Sequence, residues 1–135
     1  MKQIMIDTNI FDKLITDSYF PDIWHALNAG LIKLITTPIQ EKEISNITNA
    51  RKKQLISIIK RTVIPLVQAS EAVQYPQLTP DIQIAYTAAD SADIFVTEDK
   101  PLRQWYQNHY PNHIIYDYQQ FLIWFLQNIY PYLNY

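Results

Sequence analysis

Hydrophobic residues recur along the chain in two alternating ways. Gln3 to Ile6, Leu31 to Ile35, Val63 to Ile64, Ile94 to Val96 and Ile114 to Tyr116 are short apolar or β-branched runs that predict strands, and longer stretches of helical spacing separate them. Pro21 opens a helix presenting Ile23, Trp24 and Leu27, which Gly30 ends before the second strand. Pro38 opens another, with Ile39, Glu43, Ile47 and Ala50 at helical intervals, and Leu55, Ile58 and Ile59 extend the apolar face in a further helix after Asn49. Pro80 starts a helix with Ile84, Ala85 and Ala88 on one side. Asp117 and Gln120 have capping-box spacing ahead of a helix over 118–129, whose Phe121, Leu122, Phe125 and Ile129 form a wide stripe. The segment from Gln68 to Pro80, with two prolines and mixed polarity, reads as an irregular loop. Five strands alternating with helices predict an α/β fold of three layers, α/β/α, with a central, mostly parallel five-stranded sheet, because parallel strands need crossovers and helices usually supply them.

Composition narrows the chemistry. At 135 residues and 48% hydrophobic content, residues 1–135 are expected to form a single domain with a real core. The absence of cysteine excludes disulfides, thiolate zinc sites and thiol nucleophiles, and fits a reducing compartment. No apolar run approaches the roughly 20 residues of a membrane helix, and Asp7 comes too early for a signal peptide, so a cytoplasmic protein without membrane contact is expected. A net charge of -2 argues against coating nucleic acid by bulk electrostatics. Gly30 is the only glycine, which removes the Gly-rich loops that cradle phosphates.

What remains is carboxylate chemistry. Asp7 ends the first strand and Asp99 follows the fourth, so both fall at the carboxyl edge of a parallel sheet, where ligands bind in such folds. Glu43 and Asp81 lie near the starts of helices, and crossover helices also begin at that edge. Taken singly, each acid has an ordinary alternative: Asp7 or Asp81 as a helix cap, Glu43 on a solvated face, Asp99 in a turn before Lys100-Pro101. The four together define an acidic pocket.

The segments carrying these acids resemble the motifs of the PIN-domain nucleases, which include VapC-like ribonucleases. Ile4-Met5-Ile6-Asp7-Thr8-Asn9 resembles the family's apolar strand ending in Asp-Thr-Asn, and Thr37 to Ile44 the second motif, with glutamate five residues after proline. Asp81 to Ala88 is similar to the third motif, and Asp93 to Lys100, with Val-Thr-Glu-Asp, to the fourth. Ile82 stands where the family has a small residue, and Asp90 and Asp93 are the alternatives to Asp81 as third acid. The resemblance implies a PIN-like fold and a metal-dependent endoribonuclease. Asp7, Asp81 and Asp99 would hold Mg2+ or Mn2+, and Glu43 would orient or deprotonate the attacking water. Thr8, Asn9 and Thr97 would orient the ligating carboxylates, and Lys100 and Arg103 would contact RNA phosphate. It further implies a homodimer and, for a toxin of a toxin–antitoxin pair, a small antitoxin protein as partner; a housekeeping RNA-processing role fits the same residues. A catalytically weak PIN-like module that binds RNA or protein is the alternative, and phosphatase or DNA-directed activity would use the same metal chemistry.

Other polar features are read more plainly. His109 and His113 have ligand-pair spacing, but Pro111 between them breaks a helix, so a structural role is expected. Arg51-Lys52-Lys53 and Lys60-Arg61 are candidate RNA-backbone contacts, with a solvated helix face the plainer reading of the first cluster. The tyrosines are expected to complete the core and an interface, with Tyr130 to Tyr135 an apolar tail suited to a partner or to self-association.

Overall fold

A computed structural model describes residues 1–67 and 79–134. Five strands form one sheet: β1 (Lys2–Ile6), β2 (Ile32–Thr36), β3 (Thr62–Val63), β4 (Ile94–Val96) and β5 (Ile114–Tyr116). Every pairing is parallel and the order is β3-β2-β1-β4-β5. The helices are α1 (Ile10–Thr16), α2 (Phe20–Asn28), α3 (Pro38–Ser45), α4 (Ala50–Ser57), α5 (Pro80–Ser91), α6 (Lys100–His109) and α7 (Tyr118–Asn128), followed by a 3-10 turn over Tyr130–Tyr132. The three-layer α/β/α expectation therefore holds, with the sheet wholly parallel.

Strand alternation sorts the core into two halves. Ile4, Ile6, Ile32, Leu34, Ile94 and Val96 face α1, α2 and α7, where Phe11, Leu14, Ile23, Leu27, Phe121 and Phe125 are buried. Met5, Ile35, Phe95 and Ile115 face α5 and α6, against Ile84, Ala85, Ala88, Leu102 and Tyr106. Covering on both faces explains why Ile4 to Ile6 of β1 and Ile94 to Val96 of β4 are unbroken apolar runs.

The expected start and stop signals act as read. Gly30 adopts φ +76° after α2, a left-handed conformation that glycine takes without strain. Pro38 opens α3 and Asp117 with Gln120 forms the capping box of α7, while a capping box of Thr37 with Gln40 at α3 and a cap by Asn49 at α4 come in addition to what was expected. Three helix assignments need correction. The helix that Pro38 opens ends at Ser45, so Ile47 lies beyond it and Ala50 begins α4. Trp24 is 40% exposed and Ile58 52% exposed, because Ile58 lies just past the end of α4 and its carbonyl accepts the Trp24 indole N–H at 3.2 Å. Both side chains thus mark the rim of the core. The expected irregular loop from Gln68 to Pro80 falls outside the described residues up to 78, and Pro80 opens α5. In the apolar tail, Tyr130 meets Tyr19 edge-on, Leu133 packs on the core and Tyr132 is exposed, while Tyr135 lies outside the described residues.

Candidate active site

The strand order reverses at β1. From β1 the chain leaves to α1 and α2 on one face and reaches β2; from β4, on the other side of β1, it leaves to α6 on the opposite face and reaches β5. Two connections parting in this way open a crevice at the carboxyl ends of adjacent strands. Asp7 and Asp99 are the residues that leave β1 and β4 there.

Asp7 is only 7% exposed. Its N–H donates to the Val96 carbonyl at 2.9 Å as the last rung between β1 and β4, which fixes where its side chain emerges. Oδ1 accepts the Thr8 N–H at 2.8 Å, and Oδ2 accepts the Thr97 hydroxyl at 2.7 Å. The same Thr97 oxygen accepts the Asp99 N–H at 3.1 Å, so one hydroxyl joins the first and fourth motifs. Thr8 donates its hydroxyl to Glu43 Oε1 at 3.2 Å, and Asn9 Oδ1 accepts the Glu98 N–H at 3.5 Å. Each of the three residues expected to orient carboxylates thus contacts an acid or its neighbour. Asp99 also caps α6 through the Leu102 N–H, so the turn-residue alternative describes part of what it does.

The electrostatics join the acids further. Burial raises the Asp7 carboxyl above its ordinary range; the Thr97 and Thr8 hydrogen bonds oppose this, and the charges of Asp81 and Glu43 add to it. Partial withdrawal from water is the main cause that raises Asp81, and the Asp99 charge adds to it. Asp81 is the second residue of α5, after Thr79, whose hydroxyl is the cap, so the cap reading of Asp81 fails. Asp93 lies at the other end of the sheet, its carboxylate accepting the Gln3 N–H and its own N–H donating to the Gln3 carbonyl. Asp90 is near that same end, in the last turn of α5. Of the three candidates for the third acid, only Asp81 is on the side of Asp7 and Asp99.

All the donors at this edge are oxygens, the set that a hard divalent cation prefers. Among the described residues, however, no three acidic or histidine side chains stand close enough to form a ready-made metal cage. Magnesium bound largely through water needs no closed cage. The donor chemistry fits the ion.

Gln40, which sequence reasoning passed over, and Arg61, which it read otherwise, hold the frame. Gln40 is 0% exposed; its Nε2 donates to the Ile6 carbonyl, and its Oε1 accepts the Thr37 N–H at 2.7 Å, which ties the start of α3 to the end of β1. Its capping-box spacing was visible in sequence, whereas the contact to Ile6, 34 residues away, was not. Arg61 forks onto Glu41 at 2.8 and 3.0 Å, donates to the Ile56 and Ile59 carbonyls, and covers the Phe11 ring. Glu41 is pulled upward by burial, but the Arg61 and Thr36 hydrogen bonds prevail and hold it below its usual range.

This corrects the reading of Arg61 as an RNA contact. Lys52 is likewise paired with Asp12, and Lys53 donates to the Ser45 carbonyl at 3.0 Å. Lys100 is exposed at the start of α6, and half-buried Arg103 donates to the Thr97 carbonyl at 2.9 Å, beside the acids. His109 ends α6 stacked on Trp105 and His113 packs on Tyr110, so the two belong to an aromatic cluster.

Comparison with known proteins identifies the fold. The chain is similar to a chain in the crystal structure of VapBC2 from Rickettsia felis bound to a DNA fragment from their promoter, with TM-score 0.55 and 18% identity over 85% of this chain and 98% of that one. The protein thus has a PIN-like fold, as the motif resemblance implied. No protein-family model matches the sequence, and no curated protein matches it.

Proposed function

We propose that the protein is a metal-dependent endoribonuclease that hydrolyses RNA phosphodiester bonds. The observation that carries this reading is the Thr97 hydroxyl, which binds the buried Asp7 carboxylate and the Asp99 main chain at once, at the point of the sheet where the charges of Glu43 and Asp81 act on Asp7 and that of Asp99 acts on Asp81. Asp7, Asp81 and Asp99 would hold Mg2+ or Mn2+, and the ion when bound supplies a Lewis acid and offsets charge on the phosphoryl oxygens. Thr97 and Thr8 orient Asp7 by hydrogen bonds to its two oxygens, and Thr8 also holds Glu43 by its hydroxyl. Glu43, exposed one turn into α3, takes the proton from the attacking water. Lys100 and Arg103 at the start of α6 meet the phosphate backbone.

The fold likeness to VapBC2 supports reading the protein as the toxin of a toxin–antitoxin pair with a small antitoxin protein as partner, and the motif resemblance adds a homodimer as its assembly. Purified protein should cleave structured RNA only with magnesium or manganese. Asp7→Asn and Asp99→Asn should each abolish cleavage while circular dichroism shows the fold retained. Cleavage unchanged in both variants would refute the assignment, and folded wild-type protein that binds RNA without cutting it would favour the PIN-like binding module.

A further inference from the structure

The turn from β4 into α6 carries two adjacent acids, Glu98 and Asp99, and the proposed reaction uses only the second. Glu98 is half-buried, and its carboxylate is engaged elsewhere: Oε1 accepts the N–H of Tyr118, the first residue of α7, at 2.9 Å. The first N–H groups of a helix have no partner inside it, and the positive end of the helix dipole favours a carboxylate there. Asp117 accepts the Gln120 N–H at the same helix start, so Glu98 is a second acceptor, supplied from 20 residues away.

The segment that Glu98 grips is itself fixed. Tyr118 is buried, its hydroxyl donates to Asp17 Oδ2 at 2.5 Å, and Asp17 Oδ1 accepts the Tyr19 N–H. Two residues earlier, the Tyr116 carbonyl accepts the Thr97 N–H at 3.0 Å. Residues 116 and 118 thus hold Thr97 and Glu98 by one bond each, the first as acceptor and the second as donor. The Glu98 N–H also donates to Asn9 Oδ1, but at 3.5 Å, the weak limit of a hydrogen bond. The shorter, charge-assisted bond to Tyr118 is therefore the stronger hold on the residue between Thr97 and Asp99. What this turn presents is the Thr97 hydroxyl, which meets Asp7 and the Asp99 N–H together.

We infer that Glu98 is a positioning residue of the nuclease site: with its carboxylate on the N-terminus of α7 it fixes the turn that presents Thr97 to Asp7 and carries Asp99, and it neither binds the cation nor takes a proton. The inference rests on the nuclease reading above. Glu98→Gln and Glu98→Ala separate the two kinds of role, because glutamine keeps an acceptor for the Tyr118 N–H without the charge and alanine keeps neither.

Uniformly 15N-labelled protein without metal gives a readout that needs no activity. In Glu98→Ala the amides of Tyr118 and Asp99 should exchange about tenfold faster than in wild type while those of β1 and β2 keep their protection, and in Glu98→Gln they should stay near wild type. With magnesium, Glu98→Ala should lose about tenfold or more in RNA cleavage and need about tenfold more magnesium for half its maximal rate, the loss that follows when the group orienting a ligating carboxylate is removed. Glu98→Gln should remain within about threefold of wild type in both. Phe125→Leu, which weakens the packing of α7 away from the turn, should lower Tm and leave cleavage unchanged below the melting range. The inference is overturned if Glu98→Gln is as deficient as Glu98→Ala, since the charge itself would then act as ligand or base. It is overturned equally if Glu98→Ala loses stability but cleaves as wild type does, or if Phe125→Leu loses as much cleavage as Glu98→Ala. Wild-type protein that cuts no RNA with magnesium or manganese refutes the nuclease reading and this inference with it. Cleavage lost in Asp7→Asn and Asp99→Asn but kept in Glu98→Ala overturns this inference alone.

Discussion

At the scale of single residues, Asp7 is the one carboxylate buried among the described residues, and it receives two hydrogen bonds yet is still raised above its ordinary value. Burial therefore outweighs both donors, and the neighbouring acids add to it. A carboxyl whose folded pKa exceeds its unfolded one favours the native state when protonated. Its cost is absent below the unfolded value of 3.8, grows as pH rises toward the folded value, and is complete above that. In metal-free protein, Asp7→Asn should raise the unfolding midpoint at pH 7, and the gain over wild type should shrink as pH falls toward 4. Urea titrations at four pH values between 4 and 7.5 would measure this. A gain that grew on acidification would mean that the two hydrogen bonds dominate and that Asp7 is a stabilising group.

Elements are placed around that residue by contacts of different legibility. The five strands, the α3, α5 and α7 signals and the four acids could be read in the sequence, because alternation, proline at a first turn and capping spacing are local patterns. The bounds of α6 were not drawn, since its polar composition shows only through Leu102 and Tyr106 on one face. Trp24 and Ile58 passed as core because periodicity reports the direction of a face and not how far the opposing element extends. Arg61 and Gln40 were opaque for a related reason: their partners, Glu41 and Ile6, are 20 and 34 residues distant. Gln40 is the testable case. Gln40→Leu keeps the volume and leaves the Ile6 carbonyl and the Thr37 N–H buried without their partner, at a cost of roughly 2–4 kcal/mol. The variant should unfold at lower denaturant, and α3, which carries Glu43, should show faster amide exchange than the strands. Equal loss of protection across α3 and β1 would mean that Gln40 serves general packing and does not fasten α3 in particular.

For the whole molecule, charge and topology act together. A formal charge of -2 conceals an acidic carboxyl edge, where β1 and β4 release Asp7 and Asp99. Mutual repulsion at the acidic edge opposes folding in the absence of a counter-ion, as the raised carboxyls of Asp7 and Asp81 register. A divalent cation that binds only the folded form must then stabilise the entire chain by mass action, about 2.7 kcal/mol at a hundred times its dissociation constant. For a domain of this length that corresponds to a rise of about 10 °C in Tm. Magnesium and manganese should both produce it, and sodium chloride at equal ionic strength should not, because screening weakens repulsion without occupying a site. Asp99→Asn should reduce the magnesium response while leaving the cation-free Tm equal to or above that of wild type, since the variant relieves the Asp81–Asp99 repulsion as well as removing a ligand. A wild-type Tm indifferent to magnesium at 20 mM would separate the PIN-like fold from metal chemistry in this chain and leave the acidic edge as a surface without a cation.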